Sequence, residues 1–179
     1  MNLSRLACAA FAFALCSAGA ATAQTAAIPG YGSVAPLPDA REQPDAGRDY
    51  KAVFDISGAP KAPDKVTPGL DRAARLVNIL TAGGVPADKR HIALVVHGGA
   101  TDAVTTDEVY AKRHDGLKNP NTALIAALQA AGVSVRICGQ SMHGRGYTPA
   151  DLAPGVQVDL AALMTVTHLQ LDGYALIVN

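Results

Sequence analysis

The chain has 179 residues, with 15 basic and 15 acidic side chains, 49% hydrophobic residues and no tryptophan. A formal charge of zero gives no electrostatic reason to expect nucleic acid or an anionic membrane as partner, and aromatics at 4% leave little for a platform that stacks sugars or bases. The length suits one domain with a full core and hardly two.

In chain order, Arg5, the uncharged apolar stretch Leu6–Cys16 and the small-x-small site Ala21-Thr22-Ala23 predict a secretory signal peptide over residues 1–23, cleaved before Gln24. The stretch is shorter than the ~20 apolar residues of a transmembrane helix. Bulky Leu15 ahead of Cys16 disfavours a lipoprotein anchor. The expected product is a bacterial periplasmic or secreted chain, free of the membrane after cleavage. Loss of Arg5 makes it one charge negative. Cys8 and Cys16 leave with the signal, so Cys138 remains without an internal disulfide partner.

Residues 24–49 hold Pro29, Pro36, Pro38 and Pro44 with Gly30 and Gly32, and no apolar period. They read as an arm, either a free tether or a strap along the domain or a neighbouring subunit. From Tyr50 to Asn179 strands and helices alternate. Tyr50–Ser57 is a predicted strand. Thr67-Pro68 starts a helix whose face carries Leu70, Ala73, Ala74, Val77 and Leu80 and which stops at Gly83-Gly84. His91–His97 is a near-continuous apolar run, the pattern of a strand covered on both faces. Thr101–Lys118 reads as a long loop. A second helix runs from about Asn119-Pro120 to Gly132 with Leu124, Ile125, Leu128 and Ala131 on one face, followed by a strand over Val133–Cys138. Thr148–Asp151 caps a short helix, Val156–Leu160 is a fourth strand, Ala161–Leu171 a helix and Tyr174–Val178 a fifth strand. The alternation predicts a three-layer α/β sandwich with a mainly parallel sheet of about five strands.

In such sheets ligands and chemistry gather at the carboxyl ends of the strands. Two strand-end loops stand out, His97-Gly98-Gly99 and Cys138-Gly139-Gln140-Ser141. If their strands are neighbours, His97 and Cys138 share an edge, and the glycines allow backbone amides to approach a ligand or anion. A helix starting near Gln140 and nearby cations lower a thiol pKa, as a nucleophilic or sulfur-carrying cysteine requires. The competing reading of Cys138 is a small buried hydrophobe. Alternation opposes it by putting Val133, Val135 and Ile137 on one face while Cys138 meets the loop. His97 reads equally well as a strand-end histidine bonding loop backbone, and His143 and His168 as surface residues.

Two further readings use the same residues. Gly139-Gln140-Ser141-Met142-His143 approaches a nucleophile elbow, with His97-Gly98-Gly99 as oxyanion loop and Asp159 with His168 as partners, but His143 stands where the second glycine belongs. Cys138, Met142 and His143 are soft or borderline ligands suited to copper(I), at a spacing that is not specific.

Taken together, a strand followed by His-Gly-Gly, then Leu-x3-Leu-x2-Ala-Gly-Val before a strand ending Ile-Cys-Gly-Gln-Ser, then Pro-Gly-Val and Gly-Tyr-Ala-Leu-Ile, resembles the DsrE family of DsrE/DsrF-like or YchN-like sulfur-relay proteins. The resemblance covers roughly Tyr50 to Asn179. It implies a compact α/β sandwich, a homo-oligomer (trimer or hexamer), and a persulfide carried on Cys138 for a donor or acceptor protein, with the Gly139 and Gln140 amides stabilising the charged sulfur. Catalytic turnover is not implied, and no cofactor or metal is called for. The alternative is an oligomeric binding module for a small ligand or copper(I) at the same crevice. The apolar stretch Leu160–Val178 suits a subunit interface as well as a core.

Overall fold

Parallel pairing of five short strands organises the computed structural model, which describes residues 26–178. The expected signal peptide, with Cys8 and Cys16, lies outside the described residues. The strands are β1 (Tyr50–Ile56), β2 (Arg90–Val96), β3 (Ser134–Cys138), β4 (Gln157–Asp159) and β5 (Ala175–Val178). The helices are α1 (Pro68–Ala82), α2 (Asp107–Arg113), α3 (Thr122–Ala130), α4 (Gly139–Gly144) and α5 (Ala162–Leu171). Sheet order is β4-β3-β2-β1-β5, with every pairing parallel.

This order decides which face each helix covers. Crossovers between parallel strands are right-handed, so helices joining strands laid down in one direction share a face. The steps β1 to β2 to β3 run one way, and α1 and α3 lie together on one side. The step β4 to β5 returns across the whole sheet, which puts α5 on the other.

The two faces differ in content. Ala52, Phe54, Ile56, Ile92, Leu94, Val96, Val135 and Ile137 meet Leu70, Val77, Leu124 and Leu128 in one large apolar cluster. Each such side chain contributes roughly 1.5–3 kcal/mol when fully buried. On the other face Val53, Ala93, Val95 and Cys138 form a small cluster with Ala162 and Leu169. α5 buries only Ala162, Thr165 and Leu169, while Leu163 and Leu171 are 78% and 80% exposed and neighbouring Leu160 is 73% exposed.

The N-terminal arm is strapped onto α1. The buried Asn78 carboxamide accepts from the Ile28 amide (2.9 Å) and donates to the carbonyls of Ile28, Tyr31 and Gly32. The Gly32 amide donates to Asp71 (2.8 Å). A Cβ on Gly32 would lie 2.2 Å from the Arg75 backbone, so only glycine permits this contact. Ile28 is fully buried in the large cluster.

The expected long loop over Thr101–Lys118 is instead ordered by a 3₁₀ segment, Gly98–Val104, and by α2. The Thr106 side chain caps α2 by accepting from Val109, with Asp107 and Glu108 in the first turn and Lys112 and Arg113 in the last. Both pieces are too short to show an apolar period. Among the described residues no helix is long and apolar enough to cross a membrane.

Candidate functional site

Cys138 ends β3 and is the residue from which α4 starts. Side chains alternate along a strand, so the sequence Val135-x-Ile137 that fills the large core turns Ser134, Arg136 and Cys138 toward α5. Cys138 is 6% exposed. Burial pushes its thiol up, but hydrogen bonds from the Ala162 amide, the Ser141 hydroxyl and the amides of Ser141 and Gln140 outweigh it, so the thiol sits below its ordinary value.

The glycine after it is needed for that arrangement. A Cβ on Gly139 would lie 2.7 Å from the Asp159 carbonyl and 3.3 Å from that of Leu160. With hydrogen alone there, the end of β4 and the start of α5 close over β3 and bring the Ala162 amide to the sulfur.

Adjacent β2 supplies the histidine. Its register with β3 pairs Ala93 with Ser134 and Val96 with Ile137; carried one residue further, it sets His97 beside Cys138, and His97 keeps an extended backbone. His97 Nε2 lies 2.5 Å from Asp55 Oδ1 of β1. Asp55, His97 and Cys138 line one cleft of about 450 Å³, whose other wall is α5 with Ala162, Leu163 and Val166. His97 is not among the groups that hydrogen-bond the sulfur; the two side chains share the cleft.

Asp55 is the member that sequence reasoning missed. Its signal is present: a carboxylate near the end of an otherwise apolar strand, Tyr-Lys-Ala-Val-Phe-Asp-Ile, is costly unless partnered. The Ala162 amide has no signal, because a backbone donor is invisible in side-chain patterns.

Other residues named from the sequence take varied places. The Gly98 amide donates to Ser141 Oγ (3.2 Å), tying the β2 loop to α4. Gly98 has φ +55°, and a Cβ on Gly99 would lie 3.1 Å from the Ser57 carbonyl, so this pair serves close packing against residues 57–59. Gln140 donates its side chain to the Leu160 carbonyl (3.2 Å). Met142 packs against the large core and His143 is exposed, so neither converges with Cys138. Asp159 is held by Arg136 (3.5 Å) and Thr165 (2.8 Å), in a depression it shares with exposed His168, while the Ser141 hydroxyl serves Gly98 and Cys138.

Fold and site together define a parallel α/β sandwich with a thiol at a central strand end. The family description DsrE/DsrF-like matches residues 51–178, and the chain belongs to that family. The ychN protein from E. coli shares the fold, with a TM-score of 0.53 at 19% identity over 73% of this chain and 99% of its own. So does MTH1491 from Methanobacterium thermoautotrophicum, described as a protein of unknown function, with a TM-score of 0.51 at 20% identity over 73% of this chain and all of its own. No curated protein matches the chain.

Proposed function

We propose that the protein is an exported sulfur carrier of the sulfur-relay type, with Cys138 as the persulfide-bearing thiol. One observation carries the reading: Cys138, at the end of β3, opens into one cleft with the His97–Asp55 pair, and the donors around the sulfur favour its thiolate form.

The step balances with a persulfide donor, R–S–SH. His97, oriented by Asp55 and facing the same cleft, takes the Cys138 proton by way of solvent, since the two side chains are not hydrogen-bonded. The thiolate attacks the terminal sulfur, the new S–S bond forms, and the donor S–S bond breaks with its electron pair on R–S⁻. His97 returns the proton to that leaving group, giving Cys138–S–SH and R–SH with no external oxidant. Delivery to an acceptor thiol is the reverse exchange. The amides of Ala162, Ser141 and Gln140 stabilise the anionic sulfur throughout.

Mass spectrometry after polysulfide treatment tests this. The expected result is a sulfur adduct on Cys138 that is absent from Cys138→Ala; an unmodified Cys138 in the wild type overturns the reading. Export is tested by the N-terminus of the protein recovered outside the cytoplasm, expected at or near Gln24. The exposed leucines Leu160, Leu163 and Leu171 on and beside α5, of which Leu163 lines the cleft, support a homo-oligomer, trimer or hexamer, in which a second copy covers α5 and narrows access to the thiol.

A further inference from the structure

A second cavity, of about 300 Å³, opens at the same edge of the sheet but on the α1 side, and it shares no lining residue with the Cys138 cleft. Its floor is polar where the surrounding core is apolar. Thr67 and Asn121 are fully buried there, and Asn119 beneath them is 5% exposed. Asn121 accepts from the Thr67 amide (2.8 Å) and donates to Asn119, which in turn holds the carbonyls of Ala103 and Thr105. A buried amide network of this kind is expensive unless every member is satisfied.

Two polar atoms of the lining residues are not. Thr67 Oγ1 is buried without a hydrogen-bond partner, although Thr67 stands at the N-cap of α1. His114 Nε2 is also buried without one; it lies 3.3 Å from Asp102 Oδ2 but outside hydrogen-bond geometry. A native fold rarely leaves such atoms orphaned; strain, a catalytic role or a bound water or ion are the usual reasons, and here both atoms are closed off until their side chains reorient.

The charges around the cavity select the ligand. Asp102 is already engaged, its Oδ1 accepting from Arg145 (2.9 Å) and from the Tyr147 hydroxyl (2.8 Å). Exposed Lys61 on the rim makes no ion pair among the described residues. Arg145 and Lys61 against Asp102 leave the lining one fixed positive charge in excess. The remaining wall, Pro60, Pro63, Ala103 and Tyr110, is apolar. We infer that this cavity binds a small monoanionic organic acid, its carboxylate toward Lys61 and its apolar body against the proline and tyrosine wall, with reorientation of Thr67 and His114 giving their orphaned atoms partners.

Titration of the full chain with sodium propionate and sodium benzoate, followed by NMR at the His114 ring and the Thr67 methyl, tests it. Saturable shifts at both sites are expected, with a Kd on the order of millimolar. Lys61→Met, on the exposed rim, is expected to weaken binding about tenfold, and Thr67→Val to weaken it while keeping the melting temperature. Cys138→Ala leaves the affinity unchanged, so the result is independent of the sulfur chemistry. Absence of saturable shifts with both acids overturns the inference. So does an unchanged affinity in Lys61→Met, or sodium sulfate binding as tightly as the organic acids at equal ionic strength.

Discussion

The two faces of the sheet are built from the same five strands yet do different work. The α1/α3 face is lined by aliphatic and phenylalanine side chains closed under two helices and the N-terminal strap. The α5 face is covered by one helix, and its central strands carry Asp55, His97, Arg136 and Cys138 among a few small apolar residues. The lesson is physical. A titratable side chain inside a closed apolar layer costs several kcal/mol, whereas a half-covered face with backbone donors at its rim holds such groups at little cost. Apolar packing and titratable side chains are therefore separated across a sheet one layer thick.

The sharpest attempt to break that contrast compares neighbours on β1. Phe54→Ala removes a core-face ring and is expected to cost about 4 kcal/mol by urea unfolding. Asp55→Asn, on the opposite face, is expected to change stability little and to slow sulfur transfer to Cys138 about 100-fold, with partial recovery in Asp55→Glu. Equal losses of stability in the two variants would erase the distinction between the faces.

The next effect lies at the seam. Gly139→Ala is expected to destabilise by about 2 kcal/mol through overpacking against the Asp159 carbonyl. It also draws the Ala162 amide off the sulfur, so the pH midpoint of Cys138 alkylation should rise toward the usual thiol value of 9.0. Destabilisation without that rise would show that the glycine serves packing alone. On the exposed side of α5, the pair Leu163→Asp and Leu171→Asp should leave monomer stability within about 0.5 kcal/mol while shifting the proposed oligomer to monomer in sedimentation; an unchanged profile would count against an oligomer built on this face.

The smallest expected effect is the pH dependence of stability. Because the folded thiol titrates below its unfolded value, its contribution is complete above 9.0 and is lost as pH falls through the lowered folded value. The stability gap between wild type and Cys138→Ser should thus widen from neutral pH to above 9.0, and a gap that is flat in pH would mean that the donors do not favour the thiolate.

Sequence periodicity was enough for the strands and the longer helices. His91–His97 announces a strand buried on both faces, and β2 lies at the centre of the sheet as Arg90–Val96. Thr67-Pro68 announces the start of α1. It failed at α2, a seven-residue helix that buries one side chain, Tyr110, and so shows a cap and end charges but no apolar stripe.

The strand-end position of Cys138 was legible, since a cysteine between an apolar run and a glycine is a local feature. Its neighbours were not. Strand order brings β1 and β3 to either side of β2, and only that order sets Asp55, 42 residues distant in sequence, against His97 and both of them in the Cys138 cleft. The hand of the β4-to-β5 crossover puts α5, and with it the Ala162 amide, over the sulfur. Local sequence determines which residues enter strands and helices because capping and periodicity act within a few residues. Which residues meet at a strand end depends on register and handedness across the whole sheet, and these arise only when the elements pack.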